Sequence, residues 1–215
     1  MKKLVILIFG AFAVATSAQA AFYDFVAEGD ANERGWASFD TGTDSSTGMP
    51  DGITITGTVD GADAFAYFDR GNAGLGVCKT IDTDNQCAPS SDDNIDTLLG
   101  TDVLKLDFNG DSDWKITELA FTGLVDGNHG DVVGTNLVDY QLDSGGWMSS
   151  SFADLSMAVL FGNILELRVH ADDLDGEGQE FYLASLTAVP VPAAVWLFGT
   201  ALIGFVGMSR RVKVG

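Results

Sequence analysis

The sequence predicts an all-β fold, an antiparallel β-sandwich over residues 21–188, with an apolar segment at either end. Two observations predict it. Short β-rich apolar segments recur along the chain, separated by Gly, Asp, Asn and Ser. Several of them alternate: Ile53, Ile55 and Val59 with Thr54, Thr56 and Thr58, and Leu104, Leu106 and Phe108 with Lys105 and Asp107. Such alternation belongs to strands with one face in a core and one in water, and about nine of them with polar turns make a sandwich.

At the N-terminus, Lys2 and Lys3 precede an apolar run over 4–15, and Ala18 and Ala20 then fit an Ala-x-Ala cleavage site. Residues 1–20 therefore read as a secretory signal peptide, with Ala21 as the new N-terminus. The run is too short for a spanning helix. Strands are expected over 22–27, 35–39, 53–59, 64–68, 103–108, 115–122, 137–142, 164–170 and 181–188, with Gly57 interrupting the third. Residues 149–161 hold the one candidate helix, with Phe152, Leu155 and Val159 near helical spacing, although the Ser-rich start equally suits a loop leading into a strand. Residues 21–188 form one domain with enough chain for a sizeable core, and no linker or repeat divides it.

The last segment, 189–215, is of another kind. Residues 193–208 carry no charge and would span about 24 Å as a helix, and the preceding Val-Pro-Val-Pro extends the uncharged run to twenty. Arg210, Arg211 and Lys213 come next, which favours the cytoplasmic side for that end and places the domain outside the cytoplasm. Gly199, Gly204 and Gly207 dot the run, and Trp196 suits a membrane interface.

Prolines at 190 and 192, an Ala-Ala-Val-Trp-Leu step, the Gly-spotted run and the Arg210–Arg211 pair together resemble the PEP-CTERM sorting signal. The chain departs from the eponymous Pro-Glu-Pro in having Val191 between its prolines. The resemblance implies an exosortase-type membrane transpeptidase as partner, contact with the membrane during sorting, and delivery to a bacterial envelope, surface or extracellular matrix. Pro190, Pro192, Trp196, Arg210 and Arg211 are the residues that carry it. A plain C-terminal anchor would give the same topology without processing. At the level of strand pattern, residues 21–188 are similar to jelly-roll sandwiches of exosortase-dependent surface proteins and carbohydrate-binding modules, which implies a jelly-roll-like layout but transfers no ligand-binding residue.

Charge narrows the partners. Loss of both ends removes Lys2, Lys3, Arg210, Arg211 and Lys213, five of eleven basic residues and no acid, so the net charge moves from −20 to −25. A domain so acidic repels nucleic acid and anionic headgroups, leaving neutral glycans such as exopolysaccharide, cationic surfaces and divalent cations.

Cys78 and Cys87 are the two cysteines, and an exported chain should pair them. The bridge would staple a short excursion, worth about 2 to 3 kcal/mol on chain-entropy grounds. Calcium wants six to eight oxygens. Asn109, Asp111 and Asp113, or Asp173, Asp175 and Glu177, open like calcium loops, but positions 120 and 184 are alanines where an EF-hand needs Glu. The strongest candidate set is Asp82, Asp84, Asp92 and Asp93 on and beside the tethered excursion.

Catalysis finds little footing, since His129 and His170 are the only histidines and neither stands in a catalytic motif. Trp147, after Ser-Gly-Gly, is the candidate for stacking on sugar, whereas Trp36 and Trp114 beside strands suit packing. The sequence therefore points to an exported, non-enzymatic surface or matrix protein with glycan binding as its candidate activity. A glycan-active enzyme on the same tail is the alternative, and it would need two carboxylates across a cleft.

Overall fold

A computed structural model describes residues 19–90, 92–97, 99–109, 114–125, 128–131, 136–170 and 180–191. The expected signal peptide up to residue 18, the tail from Pro192 with Trp196, Arg210 and Arg211, and the acidic pairs Asp111/Asp113 and Asp173/Asp175 lie outside the described residues. Among the described residues no helix is long and apolar enough to cross a membrane.

The domain is antiparallel β throughout. In chain order the strands are β1 Ala21–Asp24, β2 Arg34–Trp36, β3 Phe39–Asp40, β4 Ile53–Val59, β5 Ala62–Asp69, β6 Gly74–Cys78 and β7 Asp102–Phe108. They continue with β8 Trp114–Val125, β9 Asn128–Asp131, β10 Leu137–Leu142, β11 Met148–Ser151, β12 Leu160–Gly162, β13 Ile164–Val169 and β14 Tyr182–Pro190. Two short helices intervene, α1 Phe25–Ala31 and α2 Phe152–Met157.

Hydrogen bonding links the main strands in one path, β11-β10-β13-β7-β4-β5-β6-β14-β8-β12, rather than in two separately paired sheets. β5 makes the join. Its first residues pair with β4, Ala64 opposite Gly57, and its remainder pairs with β6, Phe65 opposite Cys78. Gly57 permits the turn away, because a Cβ there would meet the Phe65 carbonyl oxygen at 3.0 Å. The curled sheet closes over one core, in which Ile53, Ile55, Leu104, Leu106, Leu165 and Leu167 from one half share a cluster with Leu75, Val77, Leu119, Phe121, Leu183 and Leu186 from the other. Phe121, Phe152 and Phe181 stack edge to face within it at 5.1 to 5.8 Å, burying the apolar side of α2.

Two expected segments change identity. The strand expected over 22–27 ends at Asp24, whose carboxylate accepts from the Ala27 amide at 2.9 Å and so caps α1. Phe25 then packs 6.3 Å from Phe68. Segment 149–161 divides into β11, a helix capped by Ser151 and β12, so both readings of it hold in part.

Candidate functional site

The disulfide excursion builds one wall of a recess. Cys78 and Cys87 are bonded, with Cα atoms 5.8 Å apart. Between them Asp82 accepts from the amides of Asp84 and Gln86 at 2.8 and 3.0 Å, closing a tight turn in which Asn85 takes a positive φ. The excursion lies along β2: the Gly35 amide donates to the Asn85 carbonyl at 2.9 Å, and Gln86 Nε2 donates to the Glu33 carbonyl at 2.9 Å. Gly35 is required by this approach, since a Cβ there would sit 2.7 Å from Ile81 Cγ2.

Beneath, Tyr67, Cys78 and Cys87 form a small satellite core with Phe65 and Ile81. The Tyr67 hydroxyl donates to Glu33 Oε1 at 3.0 Å, and burial with the Glu33 carboxylate beside it raises its pKa. Above, Arg34, Trp36, Ala37, Phe65, Ile81 and Asn85 line a pocket of about 320 Å³. Trp36 is half-buried, its ring edge-on to Phe39 at 5.6 Å and 4.6 Å from the Arg34 guanidinium carbon. An aromatic wall beside an Arg and an Asn amide suits a neutral, hydroxyl-rich ligand. Among the described residues no carboxylate lines the pocket, where glycoside hydrolysis would use a pair of them.

Trp147 likewise has a guanidinium over its ring, that of Arg168 at 4.0 Å, but it does not line this pocket. Arg168 belongs to a polar cluster on β10, β11 and β13. Asp139, 3 % exposed, accepts from Arg168 Nη2 at 3.1 Å and from Ser149 Oγ at 2.7 Å, and its Oδ1 lies 2.6 Å from His170 Nδ1. Burial pushes the Asp139 carboxyl up, but these three partners hold it below the usual carboxylate range. The Ser, His and Asp here do not form a hydrolase triad. Ser149 Oγ stands 3.1 Å from Nδ1, the nitrogen that Asp139 already engages, whereas a triad places serine and carboxylate on opposite ring nitrogens.

The four carboxylates expected to share calcium face separate partners. Asp82 closes its own turn, Asp84 is exposed, and Asp92 is buried with Oδ2 accepting from the Lys79 amide at 3.1 Å. Asp93 Oδ1 accepts from the Tyr182 hydroxyl at 2.9 Å. Among the described residues, the one set of three or more His, Cys, Asp or Glu ligand atoms within mutual reach is Cys78, Cys87 and Asp92. Its sulfurs are consumed by the disulfide and are no longer thiolates.

Deeper, Asp102 is 2 % exposed and accepts from the Asp96 amide at 3.1 Å. Its pKa is raised to about 8 by burial, opposed by the Asp96 amide and reinforced by the carboxylates of Asp96, Asp92 and Asp60. Neither this residue nor the Trp36 pocket is picked out by motif or spacing. The alternation of β7 marks Asp102 as an inward position, with Leu104 and Leu106 at period two after it, and that is the one signal the residues offer.

No protein family, curated protein or solved structure matches this chain.

Proposed function

We propose that the protein is an exported bacterial surface or extracellular-matrix protein, sorted by an exosortase through residues 189–215, whose domain is non-enzymatic, jelly-roll-like and binds a neutral glycan at the Trp36 pocket. The observation that carries this reading is the pocket itself, aromatic and hydrogen-bonding, without a lining carboxylate, on a disulfide-held excursion. The arrangement of the chain ends supports the sorting half. β1 starts at Ala21 opposite Ala188, and β14 ends at Pro190 opposite Trp114, so cuts before Ala21 and near residues 189–192 would leave the core intact.

A panel of neutral oligosaccharides titrated against the protein, read by tryptophan fluorescence, tests the binding half. Trp36→Ala should weaken the best ligand by roughly tenfold or more, as expected for a lost stacking contact of about 1.4 kcal/mol or more. Trp147→Ala should leave it within about twofold. Equal affinity in Trp36→Ala, or release of reducing ends from the panel, rejects the binding site or favours the enzyme. Mass spectrometry of envelope material should find Ala21 first and the tail lost near residues 189–192. Mature protein still carrying Arg210 and Arg211 would leave a plain anchor.

A further inference from the structure

The chain enters and leaves the domain at one place. β14 runs between β1 and β8 there, and β12 pairs with the far side of β8. Leu160, Ile116 and Ala188 lie opposite one another across β12, β8 and β14 and are buried. The next row, Phe161, Lys115 and Val189, must therefore point to the outer face. Phe22, opposite Thr187 on β1, and Val159, two residues before Phe161, point outward likewise. On this face Phe161 is 59 %, Phe22 53 % and Val159 50 % exposed, around the hydrogen-bonded pair Thr187 and Glu118.

Single exposed apolar residues are ordinary, but a group at the point of chain exit calls for a partner. We infer that this face docks on the lipid interface of the membrane that receives the tail. The inference rests on the proposed reading of residues 189–215. Only Val191 and Pro192 separate the last strand residue from the uncharged run that begins at Ala193. Three Cα steps of about 3.8 Å keep Pro190 within about 11 Å of Ala193, against a headgroup layer of about 5 to 7 Å. With the run in a bilayer, so short a connection keeps Pro190 and the exposed residues beside it close to its surface.

Charge selects the kind of lipid. The chain without either end carries a net charge of −25, which opposes anionic headgroups, so the contact is made by apolar side chains on a zwitterionic surface. Lys115, half-buried in the row, can lay its stem along the apolar patch and reach a lipid phosphate. The disulfide excursion faces away. β6 runs antiparallel to β14 from Leu75 opposite Leu183, so Cys78 and the excursion after it lie beyond the N-terminal end of β14, roughly 30 Å along the strand from Pro190. The membrane contact and the Trp36 pocket thus occupy opposite ends of the domain's longest axis of pairing.

The test uses the full chain in phosphatidylcholine vesicles with brominated acyl chains, which quench tryptophan on contact. The difference between the chain and Trp196→Phe reports whether the tail inserts. In the Trp196→Phe background, Phe161→Trp reports the proposed face and Thr83→Trp the disulfide excursion. Tail insertion with emission at 161 quenched by roughly half or more, unchanged by high salt, and emission at 83 unaffected is the expected result. Quenching at Trp196 with none at 161 overturns the docking face and spares the tail, and a blue shift at 161 without quenching, as from a second copy covering the face, overturns it too. No quenching at Trp196 removes the tail reading, and this inference with it.

Discussion

Replacing Asp102 by asparagine should stabilise the protein at neutral and alkaline pH, by an amount that grows with pH. Asp102 is buried and its pKa is raised from 3.8 to about 8. A carboxyl whose folded pKa lies above its unfolded value binds its proton more tightly when folded. Its contribution is therefore most favourable below about pH 3.8 and declines as pH rises towards about 8, beyond which the penalty is constant. The slope is about 1.4 kcal/mol per pH unit, so the penalty is on the order of 4 kcal/mol at pH 7. Asp102→Asn keeps an oxygen to accept from the Asp96 amide and turns an NH₂ towards the carboxylates of Asp96, Asp92 and Asp60. Urea denaturation of both proteins at about pH 5, 7 and 9 measures the difference directly. It should widen between the first two conditions and flatten near the last. A difference that does not vary with pH would refute the reasoning.

Glu28, 2 % exposed, behaves in the opposite sense. Its carboxylate accepts from Ser45 Oγ, the Ser46 amide and both the amide and hydroxyl of Thr47 at 2.7 to 3.0 Å, and these bonds outweigh burial and lower its pKa. Its stability is present above the unfolded pKa and lost as pH falls through the folded one, so Glu28→Gln should cost about 1.5 to 3 kcal/mol at neutral pH and less in acid, as chemical denaturation will show. Gly76→Ala should destabilise by about 1 to 3 kcal/mol, because a Cβ there would overlap the Asp93 carbonyl, whereas Gly61→Ala should cost less because nothing lies within 4 Å and only its φ of +76° opposes a side chain. The double variant Cys78→Ser/Cys87→Ser should lose about 2 to 3 kcal/mol while retaining the β circular-dichroism spectrum. Thiol titration of the denatured, unreduced native protein should find no free cysteine.

The antiparallel all-β character was legible in the residues because alternation is a local consequence of burying one face. β4 and β7, with Ile53, Ile55, Leu104 and Leu106 inward, fall where period two puts them. Pairing of Cys78 with Cys87 is expected of the two cysteines in a chain read as exported, and the two are bonded. β6 escaped recognition because Gly74 to Cys78 is buried on both faces, against the core on one side and the disulfide excursion on the other, and strands covered twice do not alternate. The end of β1 depended on one local hydrogen bond from Ala27 to Asp24, which competes with continuation of the strand and leaves little trace in apolar pattern.

What only the tertiary structure decided is what comes together from distant parts of the chain. Trp36, Phe65 and Asn85 meet because β5 passes between β2 and β6 and the excursion folds back over Gly35. Trp147 and Trp36 look alike as polar-flanked tryptophans and each lies under a guanidinium, yet the arginine over Trp147 belongs to an ion cluster while Trp36 walls a pocket. Likewise Asp82, Asp92 and Asp93 crowd one stretch of sequence with the exposed Asp84 but accept from separate donors, while Asp102 acquires its shifted proton affinity from burial in the folded domain, reinforced by the carboxylates of Asp96, Asp92 and Asp60. Periodicity is a property of neighbours in sequence, so the chain alone determined strand character. Which side chains share a pocket or a field depends on how the sheet curls and where β5 changes partner, and no local pattern encodes that.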